Sequence, residues 1–311
     1  MVTSAQDAPF VIIFAGPNGS GKTSLIDEVR NTGLAALGDV FPVPEYFINP
    51  DQVAKDLEGE FATQEERDIA AQARGIALRK KAIDARRSFA YETVMSHPTR
   101  LNEIIQLKEQ GYRVLLTFIA TDHPDINVRR VMERYRSGTT TGHFVREDRV
   151  RQRYSRVMQL LPAAAELAEA VFIYDNSTDF TVPKQVVVVT AEDVLVTASR
   201  PDWVTRHFMR PAEQRALEIE EFQDVYGENL IEADPLNGSY AGNIVNSTDN
   251  YAAQFVVANG VEVVVLHDRA LLDAASEKES HPDGLTQYHP GEWLHISYAE
   301  DRAPIVRHMQ A

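Results

Sequence analysis

The sequence predicts an α/β fold: a doubly wound, mostly parallel sheet, followed by a small β-rich C-terminal domain. Three observations carry the prediction. FVIIFA, residues 10 to 15, is a short apolar run rich in β-branched residues that leads straight into a glycine-rich turn, as a strand buried on both faces of a parallel sheet does. Strand-like and helix-like segments then alternate as far as Ser177, the pattern of a sheet whose ligands sit at the strands' carboxyl ends. Past residue 200 the texture changes to β-rich runs punctuated by Asn237-Gly238 and Asn259-Gly260. The expected boundaries are 1–198 for the α/β domain, 199–229 for an acidic helical linker and 230–311 for the β-rich domain.

After the first strand, Thr23 to Arg30 begins a helix, and Tyr46 to Asn49 reads as a second strand ending in Pro50-Asp51. Residues 63 to 87 carry Ile69, Ala73, Ile76, Ala77 and Ile83 at helical spacing among many charges, which predicts an amphipathic helix. The next strand spans Ser88 to Thr93, where Phe89 and Tyr91 serve either strand packing or substrate contact. Ser96-His97-Pro98 starts the following helix, and Leu101 to Gly111 ends on a glycine suited to a helix C′ position. RVLLTFIATD, residues 113 to 122, is the clearest internal strand; 127 to 136 and 147 to 168 are helical, and VFIYDNS, 171 to 177, is a strand again. Pro211 to Tyr226 is an acidic helical stretch.

With 311 residues, 44% of them hydrophobic and 25% charged, the chain has room for two cores in ordinary globular proportions. It contains no cysteine, which excludes disulfides, zinc-thiolate sites and thiol catalysis. The formal charge of −15 opposes broad binding to nucleic-acid backbones. Its placement is uneven: residues 1 to 180 hold 22 Lys and Arg against 25 Asp and Glu, while the remainder hold 9 against 21. The first ten residues lack a basic start and an apolar run, and no stretch approaches the ~20 apolar residues of a membrane span, so a cytoplasmic protein without a membrane or nucleic-acid partner is expected.

The chemistry concentrates in Gly16-Pro17-Asn18-Gly19-Ser20-Gly21-Lys22-Thr23, a full match to G-x-x-x-x-G-K-[ST] between a predicted strand and a predicted helix. Its glycines let backbone N–H groups curl around a phosphate, and the helix N-terminus adds a partial positive charge. Lys22 is then the residue to reach the β- and γ-phosphates of ATP, and the Thr23 hydroxyl the ligand for Mg²⁺. The fold is accordingly expected to be of P-loop kinase type. The motif alone leaves open whether the acceptor is water or a substrate hydroxyl.

Phosphoryl transfer to a hydroxyl needs an acid near the attacking oxygen and cations around the moving group. Asp51, just past a strand end, is the candidate base; its alternative role is to cap the helix that follows. Glu92 and Thr93 end another strand on the same edge and are candidate substrate contacts, with His143 after Gly142 a third. In the run Arg149, Arg151, Arg153, Arg156, three arginines (149, 153, 156) share one helical face, which suits either phosphate clamping or pairing with Glu147 and Asp148. Arg153 and Arg156 are the candidate catalytic cations. His267 and Asp268, after an apolar run, read as structural.

Taken in order, GPNGSGKT, FINPDQVA, SFAYETVMSHP, GYRVLLTFIATD, VMERYRSGTTTGHFV, RVRQRYSRVMQLL and VFIYDNS resemble the zeta toxin family of P-loop kinases over residues 10 to 178. The resemblance implies that Asp51 is the catalytic base, that Glu92 contacts a sugar, and that Arg153 and Arg156 belong to the family's basic helix. It further implies ATP and Mg²⁺ as cofactors, UDP-N-acetylglucosamine as the hydroxyl substrate, and an antitoxin protein as partner. SYAGNIVNSTDNYAAQ and VVVLHDRALL resemble the KfrB domain of plasmid-associated proteins. Two other classes stay open: a regulatory protein that uses the P-loop as an ATP switch, and a kinase of another small molecule. A nucleic-acid 5′-kinase is disfavoured by the charge balance.

Overall fold

The computed structural model describes residues 8–36, 39–57, 60–61, 63–137, 145–191, 193–258, 260–276, 288–300 and 302–309. The chain forms two compact units, Met1–Ser96 with Leu107–Thr205, and His97–Gln106 with Arg206–Ala311. Among the described residues no helix is long and apolar enough to cross a membrane.

The first unit is built on a seven-stranded sheet. Its elements are β1 (Phe10–Ala15), α1 (Lys22–Thr32), the small hairpin β2 (Leu34–Ala36) and β3 (Asp39–Phe41), β4 (Phe47–Ile48), α2 (Pro50–Asp56), α3 (Gln64–Asp84) and β5 (Phe89–Thr93). After α4 (Thr99–Glu109), most of which belongs to the second unit, they continue through β6 (Arg113–Ala120), α5 (Pro124–Ser137), α6 (Glu147–Leu167), β7 (Ala170–Asp175), β8 (Lys184–Val189), β9 (Val194–Val196) and α7 (Asp202–Val204). The strand order is β4-β5-β1-β6-β7-β8-β9. The first five strands are parallel, and β8 and β9 extend the edge antiparallel. β1 is therefore central and buried on both faces, which is why it reads as a continuous apolar run. Leu25, Ile26 and Val29 of α1 pack over Ile12 and Phe14 and fix the helix against the strand that precedes its loop.

One expectation meets a different outcome here, and one left open is resolved. In α3 the periodic residues Ile69 and Ile76 are exposed, at 63% and 52%, whereas Ala71 and Ala82 are buried. The helix packs through Ala71, with Ala70 and Leu78 beside it, against Val53, Ala54 and Leu57 of the α2 segment. Phe89 and Tyr91, stacked on one side of β5 with centroids 6.1 Å apart, are buried and act in packing. The helix expected over 63 to 87 runs from Gln64 to Asp84, and Thr63 and Glu66 form a reciprocal capping box at its start. Gly111, at φ 74°, closes α4 as the N–H groups of Gly111 and Tyr112 return to the carbonyls of Lys108 and Leu107.

Besides most of α4, the second unit holds α8 (Arg210–Tyr226), β10 (Leu230–Glu232), β11 (Ser239–Ser247), β12 (Tyr251–Ala258), β13 (Val261–Asp268), α9 (Arg269–Ser276), β14 (Trp293–Ala299) and β15 (Arg302–His308). Its six-stranded sheet runs β10-β13-β12-β11-β14-β15. The stretch read from the sequence as an acidic linker packs onto this sheet instead, with Phe222 of α8 against Tyr251, Ala253, Val264 and Leu266. Two charged residues of α8 are buried with it. Arg215 bonds Asp268 at 2.9 Å, and Glu218 accepts from the Thr248 hydroxyl at 2.6 Å and the Asn250 amide at 3.1 Å.

His267 and Asp268 are structural. Gln254 gives both amide hydrogens to the carbonyls of Gly242 and Leu294, so its Oε1 must accept from His267 Nε2, 3.1 Å away. The remaining nitrogen, Nδ1, then accepts from the Tyr298 hydroxyl at 2.8 Å. Burial holds this imidazole neutral, with its pKa pushed down to about 3.

Candidate active site

The loop between β1 and α1 lies at the carboxyl edge of the sheet, where strand order places ligands in such folds. Its shape depends on glycine at particular points. Gly19 adopts φ 77°, and a Cβ there would stand 2.6 Å from the Asn127 carbonyl; Gly21 adopts φ 97°, and its Cβ would meet the Asn176 amide nitrogen at 2.1 Å. Those two asparagines brace the loop from outside the motif. Asn127, fully buried at the start of α5, donates to the Asn18 carbonyl at 2.7 Å, and Asn176, just past β7, donates to the Ser20 carbonyl at 2.8 Å. Asn127 is held in turn by the Thr121 hydroxyl, and Thr121 accepts through its carbonyl from Tyr154 of α6 at 2.6 Å.

Lys22 opens α1 and turns back under the loop, donating to the carbonyls of Gly16 at 2.9 Å and Pro17 at 3.1 Å. Its ammonium stands 3.8 Å from Glu92 Oε1, with both side chains largely buried. Asn49 donates to the other Glu92 oxygen at 3.4 Å, and its own Oδ1 accepts from the N–H of Gln52. Asn49 thus caps α2, a role the sequence left to Asp51. Asp51 is the second residue of α2; its side chain lies outside the described residues.

Gly19, Gly21, Lys22, Thr23 and Glu92 line one cleft of about 430 Å³. Thr23 is exposed to it, as a metal-ligating hydroxyl must be. Thr93, next to Glu92, is half-buried and accepts from the N–H of Met95 at 3.2 Å. The cleft also contains Lys55, Arg130 and Arg134, which the sequence reading missed. With Lys22 they make four cations around Glu92 among the described side chains, a strongly basic pocket in a nearly neutral unit. Arg130 is fixed by Asp179, through Nε at 3.0 Å and Nη2 at 2.8 Å, and by the Asn176 carbonyl at 2.9 Å. The signal for this pair was in VRRVMERYR, where residues 130 and 134 are one helical turn apart directly after a strand's carboxyl end.

The α6 arginines divide. Arg153 reaches Asn18 Oδ1 in the phosphate loop at 3.2 Å. Burial, and then the charge of Arg149 beside it, pulls its guanidinium below the ordinary pKa. Arg156 is half-buried on the same helix and does not line the cleft, and Arg151 pairs with Asp125 and Glu147 on the surface. His143 lies outside the described residues.

The residues fit a nucleoside triphosphate: a loop that only glycine can form, an ammonium beneath it and further cations across the cleft. Among the described residues no group of three or more His, Asp or Glu is placed to hold a metal, and Thr23, exposed in the cleft, is a residue that would hold a divalent ion together with the phosphates.

Comparison with known proteins adds independent observations. The zeta toxin family model matches residues 61–185, a range that begins downstream of the phosphate loop, and the KfrB domain model matches residues 239–307. An uncharacterized protein of Haemophilus influenzae (strain ATCC 51907 / DSM 11121 / KW20 / Rd) is 30% identical over 143 residues, 46% of this chain and 91% of that protein. Two solved structures are similar at low identity. One is AvrRxo1-ORF1:-ORF2 with ATP, at 12% identity and TM-score 0.47, covering 69% of this chain and 76% of that one. The other belongs to the PezAT chromosomal toxin-antitoxin system of Streptococcus pneumoniae, at 17% identity and TM-score 0.43, covering 70% and 87%.

Proposed function

We propose that this chain, which belongs to the zeta toxin family, is an ATP- and Mg²⁺-dependent kinase that moves the γ-phosphate onto a hydroxyl of a small molecule, as the toxin of a toxin-antitoxin pair. The observation that carries the reading is the junction of Lys22 with Glu92, a phosphate-loop cation meeting an acid from the neighbouring strand in one basic cleft. A nucleotide switch has no use for an acid at the acceptor end, whereas phosphoryl transfer does.

In this reading the loop N–H groups and Lys22 hold the β- and γ-phosphates, Thr23 holds Mg²⁺, and ATP supplies the phosphoryl group. Lys55, Arg130 and Arg134 offset the charge that spreads over the equatorial oxygens as transfer proceeds. Glu92, oriented by Asn49, receives a substrate hydroxyl. Asp51 takes the proton of the attacking hydroxyl, whose oxygen bonds to the γ-phosphorus as the bridging P–O bond to ADP breaks. UDP-N-acetylglucosamine is the first acceptor to try, an antitoxin protein the expected partner and the cytoplasm the expected location.

The test is ATP turnover by the full chain with UDP-sugars, nucleotides and aminoglycosides, read as the mass of the acceptor. Phosphorylation of one of them supports the reading. ADP release with every acceptor unchanged would point to the switch.

A further inference from the structure

We infer that Phe180 is the stacking partner of the purine base of the bound nucleotide, an inference that rests on the ATP-site reading above. Two independent oddities meet at this residue. Its side chain is fully exposed, at 106%, and its backbone sits at φ 57°, a left-handed conformation in which a bulky aromatic is a genuine outlier. An exposed phenylalanine in a strained backbone gains nothing from burial, and such outliers concentrate where a ligand is gripped.

The sheet order says which ligand part lies there. Phosphates anchored after β1 have their reacting end toward Glu92 on β5, one side of β1. The rest of the nucleotide must then run to the opposite side, over β6 and β7, and Phe180 stands on the loop that follows β7. That loop is tied to the phosphate site at both ends of its first half: Asn176 holds the Ser20 carbonyl, and Asp179, adjacent to Phe180, holds the cleft residue Arg130. The Thr181 hydroxyl donates to the Thr178 carbonyl and fixes the turn that presents the ring. A planar, largely apolar base meets a planar, largely apolar ring there. Stacking of this kind tolerates any base, so it supplies affinity more than discrimination.

The experiment is calorimetric titration of the full chain and of Phe180→Ala with MgATP and, separately, with magnesium tripolyphosphate, which has no base. ATP affinity is expected to fall roughly 5- to 150-fold in Phe180→Ala while tripolyphosphate affinity stays unchanged. Phe180→Trp is expected to keep ATP affinity, with its emission quenched by ATP and not by tripolyphosphate. Wild-type affinity for ATP in Phe180→Ala, or an equal loss for both ligands, overturns the inference and leaves the kinase reading standing. A wild-type chain that binds neither ligand overturns both.

Discussion

The Lys22 ammonium stands 3.8 Å from Glu92 Oε1, so the phosphate-loop cation and the acceptor-end acid neutralise each other across the junction of β1 and β5. In the proposed reading, incoming phosphate takes Lys22 from that carboxylate, which would couple filling of the donor site to release of Glu92 for substrate. Lys22→Ala is expected to lower phosphotransfer on the order of 10²-fold or more, with an unchanged far-ultraviolet circular dichroism spectrum. Near wild-type turnover in the folded variant would exclude the loop as the donor site.

Asp51→Asn separates chemistry from helix capping, because asparagine caps a helix about as well as aspartate and Asn49 already accepts from the Gln52 N–H at the start of α2. The variant is expected to bind ATP as the wild type does, to keep its melting temperature and to lose transfer. Full activity would return the role of base to another residue.

Gly19→Ala tests the loop's backbone. A methyl group there faces the Asn127 carbonyl at 2.6 Å in a backbone with φ 77°, and no flexible side chain is available to yield. ATP affinity is expected to drop by at least tenfold while the unfolding midpoint shifts little, since the strain relaxes by opening a surface loop. Titration of ATP beside a urea melt reads both.

His267 predicts a pH dependence of stability. Its folded pKa is pushed down to about 3, below the unfolded value near 6.5, so between these values the unfolded chain binds a proton that the folded chain refuses. This contribution is fully present above about pH 6.5 and declines as pH falls, by about 2 kcal/mol at pH 5. Urea midpoints at pH 7 and pH 5 are expected to differ more for the wild type than for His267→Gln. Parallel shifts in both would place the titrating group elsewhere.

The glycine-rich loop was legible because its requirements are local. Gly16 to Thr23 fixes a backbone shape and a charge within eight residues, and β1, β6 and β7 announce themselves as apolar runs since both their faces are buried. What depends on distant partners was not. The face of α3 that meets α2 carries Ala70, Ala71 and Leu78, while the isoleucines Ile69 and Ile76 that dominate the periodic pattern stay outside. Arg130 and Arg134 outrank Arg156 in the cleft because α5 begins directly at the carboxyl end of β6, a topological fact invisible in charge density. The acidic α8 hid Arg215 and Glu218, whose burial rests on Asp268, Thr248 and Asn250 more than 25 residues away.

The amides of Asn127 and Asn176 sit 109 and 156 positions from the loop residues they hold. A relative that kept GPNGSGKT letter for letter but lost these two amides would carry the signature over a loop that had lost both of its buried amide braces. A scan for the eight-residue signature would count such a copy as intact, because the two inconspicuous asparagines lie outside it.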